Sequence, residues 1–257
     1  MCHETTARPP LPPIAGGAGG VEGTQRLVLE ASDGNRFRAF TAGTAGLDAP
    51  GIVILPDVRG LHPFYEDLAV RLAEAGVHAT AVDYFGRTAG VGDRDEDFEY
   101  RPHVEQMTPE GTRADVTAAI AHVRSDAGGG ARRVFAVGFC RGGRISFAQA
   151  AEQELDGVIG FYGWPMGSGP DDPQAPIVLA PSYRCPVLGL FGGADKGIPV
   201  EDVDAFRQAL EEAGVPNEIV VYEGAPHSFF DRAFEEHRDA CDDAWRRVLA
   251  FVGAGSR

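Results

Sequence analysis

Cysteine is scarce in this sequence: 257 residues hold four, Cys2, Cys140, Cys185 and Cys241. They are widely spaced, with neither a Cys-x-x-Cys pair nor a metal-ligand cadence, which argues against a disulfide framework or a zinc site and favours a reduced, cytoplasmic setting. Long hydrophobic runs are also missing. Nothing approaches the roughly 18 consecutive apolar residues that a membrane helix needs, so no membrane association is expected. Positive charge is the third deficit, with 23 basic against 38 acidic residues and a net charge of −15. Such a chain repels nucleic acid and anionic surfaces at long range. The N-terminus lacks the basic start and apolar stretch of a signal peptide. Its Pro-, Gly- and Ala-rich residues 1–22 read as a disordered leader before one catalytic domain at 23–257, a length routinely folded as a single α/β unit.

What is present is an ordinary globular composition, 44% hydrophobic and 24% charged, so fold class has to come from pattern. From Thr24 to Phe40 two partly alternating runs flank Ser32-Asp33-Gly34-Asn35, as in an antiparallel hairpin at a sheet edge. Gly51 to Pro56 is then a continuous apolar run, and Phe64 to Ala75 follows with helical spacing at Leu68, Leu72 and Ala75. The alternation continues with strand Val77–Val82, helix Thr112–Val123, strand Arg133–Phe139, helix Ile145–Glu154 and strand Val158–Tyr162. Beyond a Pro- and Gly-rich connection come strand Val187–Phe191, helix Val200–Ala213, strand Glu218–Tyr222 and a last helix from about Ala233 to Val252. Short buried strands alternating with amphipathic helices predict an α/β fold, a mostly parallel central sheet with helices on both faces. Functional groups in such sheets gather beyond the carboxyl ends of the strands. Two segments, 87–111 and 165–182, are too long for simple connections and read either as lids over a pocket or as solvated excursions.

The sharpest local signal is Val134-Phe-Ala-Val-Gly138-Phe139-Cys140-Arg141-Gly142-Gly143, a buried strand running into Gly-x-Cys-x-Gly-Gly and a helix. Small residues on both sides permit the strained strand-to-helix turn that exposes a nucleophile, and the helix dipole favours a thiolate. Cys241 lies on an apolar stripe with Phe234, Trp245, Leu249 and Val252, and Cys185 directly precedes a strand. Both read as small buried hydrophobes.

A thiol nucleophile needs a base, and most of the seven histidines are poorly placed for that role. His3 is in the leader, His122 is on a helix, His237 lies near the last apolar stripe, and His78 opens a strand at the far end of the sheet. His227, in Gly224-Ala225-Pro226-His227-Ser228-Phe229, lies just past the last strand. His62 and His103 are also on loops but do not fit the chain order nucleophile, acid, histidine. Gly192-Gly193-Ala194-Asp195 supplies the acid at a strand end, with a turn or capping role as the alternative. Two backbone N–H groups would receive the oxyanion, that of Arg141 after the nucleophile and that of Val58 in Pro56-Asp57-Val58-Arg59-Gly60.

Taken together, Gly-Phe-Cys-Arg-Gly-Gly, Gly-Gly-Ala-Asp and Pro-His-Ser-Phe resemble the dienelactone hydrolase family over roughly Gly51 to Val252. The resemblance implies an α/β-hydrolase fold, a Cys140–Asp195–His227 triad and no cofactor. It implies an acidic residue that helps activate the thiol at Asp57, where family members commonly carry glutamate. It further implies two arginines for a substrate carboxylate. Arg87 matches the first, with a solvated or ion-paired loop residue as the alternative, whereas the second position falls on Asp231 with Arg232 displaced by one. Tyr84 and Phe229, beside these motifs, complete the expected substrate-binding set. A monomer or small homo-oligomer cleaving small esters or lactones through an acyl-cysteine follows. A non-catalytic ligand-binding protein of the same fold and a redox protein using Cys140 are the competing classes.

Overall fold

The computed structural model describes residues 8–13, 20–46, 48–95, 97–167 and 172–253. In chain order the elements are β1 (Val21–Glu30), β2 (Arg36–Thr44), β3 (Gly51–Leu55), α1 (Pro63–Glu74), β4 (His78–Val82), α2 (Gly86–Ala89), α3 (Arg101–Glu105), α4 (Pro109–Arg124), β5 (Val134–Phe139), α5 (Arg141–Glu152), β6 (Gly157–Phe161), α6 (Pro176–Leu179), β7 (Val187–Gly192), α7 (Val200–Glu212), β8 (Asn217–Tyr222) and α8 (Arg238–Val252). Among the described residues the strands form one eight-stranded sheet in the order β1-β2-β4-β3-β5-β6-β7-β8. β1 and β2 pair antiparallel, as do β2 and β4, and the remaining neighbours are parallel. This is the α/β-hydrolase architecture, and the edge hairpin lies where the sequence pattern put it.

Every residue of β3, β4, β5, β6 and β7 is buried, which is why these strands read as unbroken apolar runs. By contrast β1, at the edge, is largely exposed. Prolines at the first turns of α1 and α4 supply a fixed φ where no donor is needed, and Thr108 caps α4 by accepting from the Gly111 N–H at 3.1 Å. The last helix begins at Arg238, not near Ala233. Ser228 adopts a left-handed φ of 61° and its carbonyl accepts from the N–H groups of Asp231 and Ala233, so 228–237 is a run of turns.

Residues 1–7 and 14–19 of the expected leader lie outside the described residues. Residues 8–13 are docked: the Pro10 carbonyl accepts from the Trp245 indole Nε1 at 3.0 Å. Among the described residues no helix is long and apolar enough to cross a membrane.

The order of strands reverses between β3 and β5, since β4 lies on one side of β3 and β5, β6 and β7 continue on the other. Crevices at such a reversal are where open α/β sheets bind ligands. Leu55 pairs with Gly138 in register, so the Pro56–Gly60 loop and the turn at Cys140 leave the sheet side by side.

Candidate active site

Cys140 is the junction of β5 and α5 and has φ 54° and ψ −113°, a conformation costly for any residue with a Cβ. Its neighbours make the turn possible. A Cβ on Gly138 would sit 1.9 Å from the Gly142 carbonyl oxygen, and one on Gly142 would sit 2.0 Å from that of Leu55. The Cys140 N–H is anchored on the Phe161 carbonyl at 3.0 Å. The half-buried thiol therefore stands at the N-terminus of a 12-residue helix, where the dipole favours a thiolate.

Asp195 and His227 come together from the loops after β7 and β8. His227 Nδ1 lies 2.6 Å from Asp195 Oδ2. A carboxylate only accepts, so Nδ1 carries the proton and Nε2 is left as the nitrogen with a lone pair. The other carboxylate oxygen accepts from the Gly197 N–H at 2.8 Å, which fixes the acid. Tyr162 connects this pair to the elbow. It follows Phe161, its ring lies 4.8 Å from that of His227, and its buried phenol is pushed well above its usual range by burial and by the charges of Asp231, Asp57 and Cys140.

The other expected groups divide. Arg141 opens α5, so its N–H has no intrahelical partner, and Val58 lies in the turn closed by Gly60 N–H to the Asp57 carbonyl at 3.0 Å. Tyr84 is buried and donates its hydroxyl to that same Asp57 carbonyl, bracing the loop. Phe229 is wholly buried against Tyr162, Tyr222 and Phe161 and is part of the core. Arg232 donates to Ser228 Oγ at 3.3 Å and lies beside Asp231.

Two of the expected groups are held in ion pairs. Arg87 is committed elsewhere: Nε and Nη2 bind the buried carboxylate of Asp115 at 2.9 Å each, and Nη1 reaches Asp33 Oδ2 at 2.6 Å. It clamps the β1–β2 turn to α4 and has little left for a substrate. Asp57 is likewise held by a protein partner. Arg59 Nε is 3.0 Å from each of its oxygens, Arg59 Nη2 is 2.6 Å from Oδ2, and the Arg59 N–H binds Oδ1 at 2.8 Å. Burial alone would raise the Asp57 carboxyl, but these bonds and the Arg59 charge outweigh it and hold it low.

Sequence reasoning missed Arg59, whose guanidinium also binds the buried Asp231. The Asp-x-Arg spacing was the visible part of the signal. Asp231 is pushed up to about 6 by burial, with Arg59 opposing and Asp57 adding to the rise. His62, a weaker base candidate, is buried and pushed down to about 4 by burial and by Arg59. His103 is stacked on Phe98 at 5.1 Å. Burial lifts the Cys185 and Cys241 thiols to about 12 each, which suits inert core residues.

A cavity of about 310 Å³ is lined by Arg141, the residue after Cys140, with Arg144, Ile145, Met107, Trp164 and Glu152 among others, while Cys140, Asp195 and His227 are not among its walls. Both long segments wall it, the first through Met107, Thr108 and Pro109 and the second through Asp172 and Gln174. Arg144 ties the second segment down by binding Asp172 at 2.8 Å and the carbonyls of Trp164 and Met166. Among the described residues no group of three or more His, Cys, Asp or Glu side chains is arranged to hold a metal ion.

The sequence pattern of the dienelactone hydrolase family matches residues 37–255. A Salmonella typhimurium protein provisionally named a carboxymethylenebutenolidase is 33% identical over 226 residues, 85% of this chain and 83% of that protein. The carboxymethylenebutenolidase of Rhodococcus opacus is 29% identical over 257 residues, covering 98% and 96% of the two chains. In three dimensions, a Klebsiella pneumoniae protein provisionally named a dienelactone hydrolase aligns with a TM-score of 0.74 at 32% identity, over 90% of this chain and 99% of that one.

Proposed function

The chain belongs to the dienelactone hydrolase family, and on that premise we propose that it is a carboxylic ester hydrolase that opens small esters or lactones through an acyl-cysteine. The observation that carries the reading is the left-handed φ of Cys140 between β5 and α5, a strain that a merely buried cysteine would not need. Carboxymethylenebutenolidase activity, the name its relatives carry, falls within this class.

In the proposed cycle His227 Nε2 takes the Cys140 thiol proton, and the sulfur attacks the carbonyl carbon. The carbonyl oxygen gains the negative charge and is received by the N–H groups of Val58 and Arg141. Collapse of this adduct breaks the C–O bond, and the imidazolium returns its proton to the departing alkoxide. His227 then removes a proton from water, the hydroxide attacks the thioester, and the acid leaves as Cys140 is regenerated. Asp195 holds the imidazole in the required tautomer and stabilises its charged form.

Tyr84 and the Arg59–Asp57 pair act on this cycle by fixing the loop that carries Val58. The groups come from loops after β3, β5, β7 and β8, which supports residues 23–257 as one catalytic domain. A thiol nucleophile has to stay reduced, which suits the cytoplasm. The test is Cys140→Ala: hydrolysis of p-nitrophenyl acetate should be lost with an unchanged far-UV circular dichroism spectrum, and retained turnover would refute the proposal.

A further inference from the structure

Arginines around the site are nearly all neutralised. Arg59 holds Asp57 and Asp231, Arg87 holds Asp33 and Asp115, Arg94 holds Asp83, and Arg144 holds Asp172. Arg141 is different. Its guanidinium makes no hydrogen bond or ion pair with any described residue, although its Nε is buried. The side chain is half-buried and lines the 310 Å³ cavity beside Trp164, Ile145 and Met107. The acidic members of that wall do not neutralise it. Asp172 is taken by Arg144, and neither Asp172 nor Glu152 forms an ion pair with Arg141. The Tyr84 phenol feels the charges of both Arg141 and Cys140, so the cation and the thiol share one neighbourhood.

We propose that the Arg141 guanidinium is the receptor for a carboxylate on the substrate, so that one residue supplies the oxyanion's backbone donor and, from its side chain, the substrate's anchor. The proposal rests on the acyl-cysteine reading above. An arginine left half-buried without an ion-pair partner in a cavity of mixed polar and apolar walls is suited to an anion, because a bidentate, charge-assisted pair satisfies several donors at once. Backbone N–H and guanidinium lie at opposite ends of a long side chain. The preferred substrate therefore carries its carboxylate several bonds away from the reacting carbonyl, with an apolar body that packs against Trp164 and Ile145. This differs from recognition through Arg87, which is occupied by Asp33 and Asp115.

The test compares esters that differ only in that charge, in wild type, Arg141→Gln and Arg141→Lys. On the acyl side the pair is mono-p-nitrophenyl adipate and p-nitrophenyl hexanoate, and on the leaving-group side 4-acetoxybenzoate and its methyl ester. In at least one pair, the ratio of kcat/KM for the anionic to the neutral ester should fall about 10- to 100-fold in Arg141→Gln. Arg141→Lys should recover part of it, and the pair that responds identifies the side. An unchanged ratio in both pairs overturns the proposal. Calorimetric titration of wild type with hexanoate and hexanamide decides the anion site without turnover and without a folded variant, and hexanoate binding no tighter than hexanamide also overturns it. Absence of hydrolysis of all four esters by wild type would instead sink the acyl-cysteine reading.

Discussion

Arg59 and Asp231, 172 positions apart in the chain, meet in a buried ion pair, and the same guanidinium holds Asp57 two residues away. One cation thus stands between two buried carboxylates directly behind the loop that carries Val58. Burial, with the neighbouring Asp57 charge adding to it, pushes the Asp231 carboxyl up to about 6 against the opposing charges of Arg59 and Arg232.

Removing that cation should be severe. Arg59→Gln leaves two buried carboxylates without a counter-charge, and breaking such a pair typically costs about 3–5 kcal/mol. Urea denaturation should show a loss of this size, and Arg59→Gln combined with Asp57→Asn and Asp231→Asn should recover part of it. A loss within the range of ordinary surface substitutions would mean that the cluster is not coupled to folding.

Stability should carry the signature of Asp231. Its folded-state value of about 6 lies above the usual 3.8, so the folded protein holds this proton more tightly than the unfolded chain. The associated stability is complete below about pH 4 and is lost as pH rises through 6. The difference in unfolding free energy, wild type minus Asp231→Asn, should therefore fall by about 1–3 kcal/mol between these limits and then level off. A difference that stays flat from pH 4 to 7 would contradict the assignment.

The sheet and the triad candidates were legible because their signals are local. Unbroken apolar runs mark β3 and β5, and Gly138 is demanded by a backbone contact within one turn, whereas Gly142 is demanded by the Leu55 carbonyl at the end of β3. The start of α8 was misplaced because the apolar stripe at Phe234 continues into turns that only the Ser228 backbone creates. Charge pairing was the illegible part. Nothing near Arg87 announces Asp33 or Asp115, and nothing near Arg59 announces Asp231, since these partners meet only once the sheet has formed. Phe229 lies two residues after the candidate base His227 yet is wholly buried in the core.

Arg87→Ala should therefore act on stability and not on substrate choice. It leaves Asp115 buried without its cation, for a loss of about 2–4 kcal/mol. Thermal denaturation should register this, while the ratio of kcat/KM for mono-p-nitrophenyl adipate to that for p-nitrophenyl hexanoate should match wild type. A collapse of the ratio with unchanged stability would restore Arg87 as the anion receptor.

The base and its orienting acid should separate in kinetics. His227→Ala should lower kcat by about 10²–10⁴-fold, and Asp195→Asn by less, because the imidazole remains present but loses its carboxylate partner. Steady-state rates at saturating substrate, with circular dichroism as the fold control, check the order. A near-wild-type rate in His227→Ala would move the role to another group, and buried His62 is poorly suited to take it.

The most direct measurement is capture of the covalent intermediate. Wild-type protein mixed with excess p-nitrophenyl acetate, quenched in acid within the first turnovers and analysed by intact and peptide mass spectrometry, should carry one acetyl group, located on Cys140. His227→Ala should accumulate it more slowly and Cys140→Ala not at all. Turnover at the wild-type rate by Cys140→Ala, or an acetyl group found on a different side chain with Cys140 unmodified, would contradict the account at its centre.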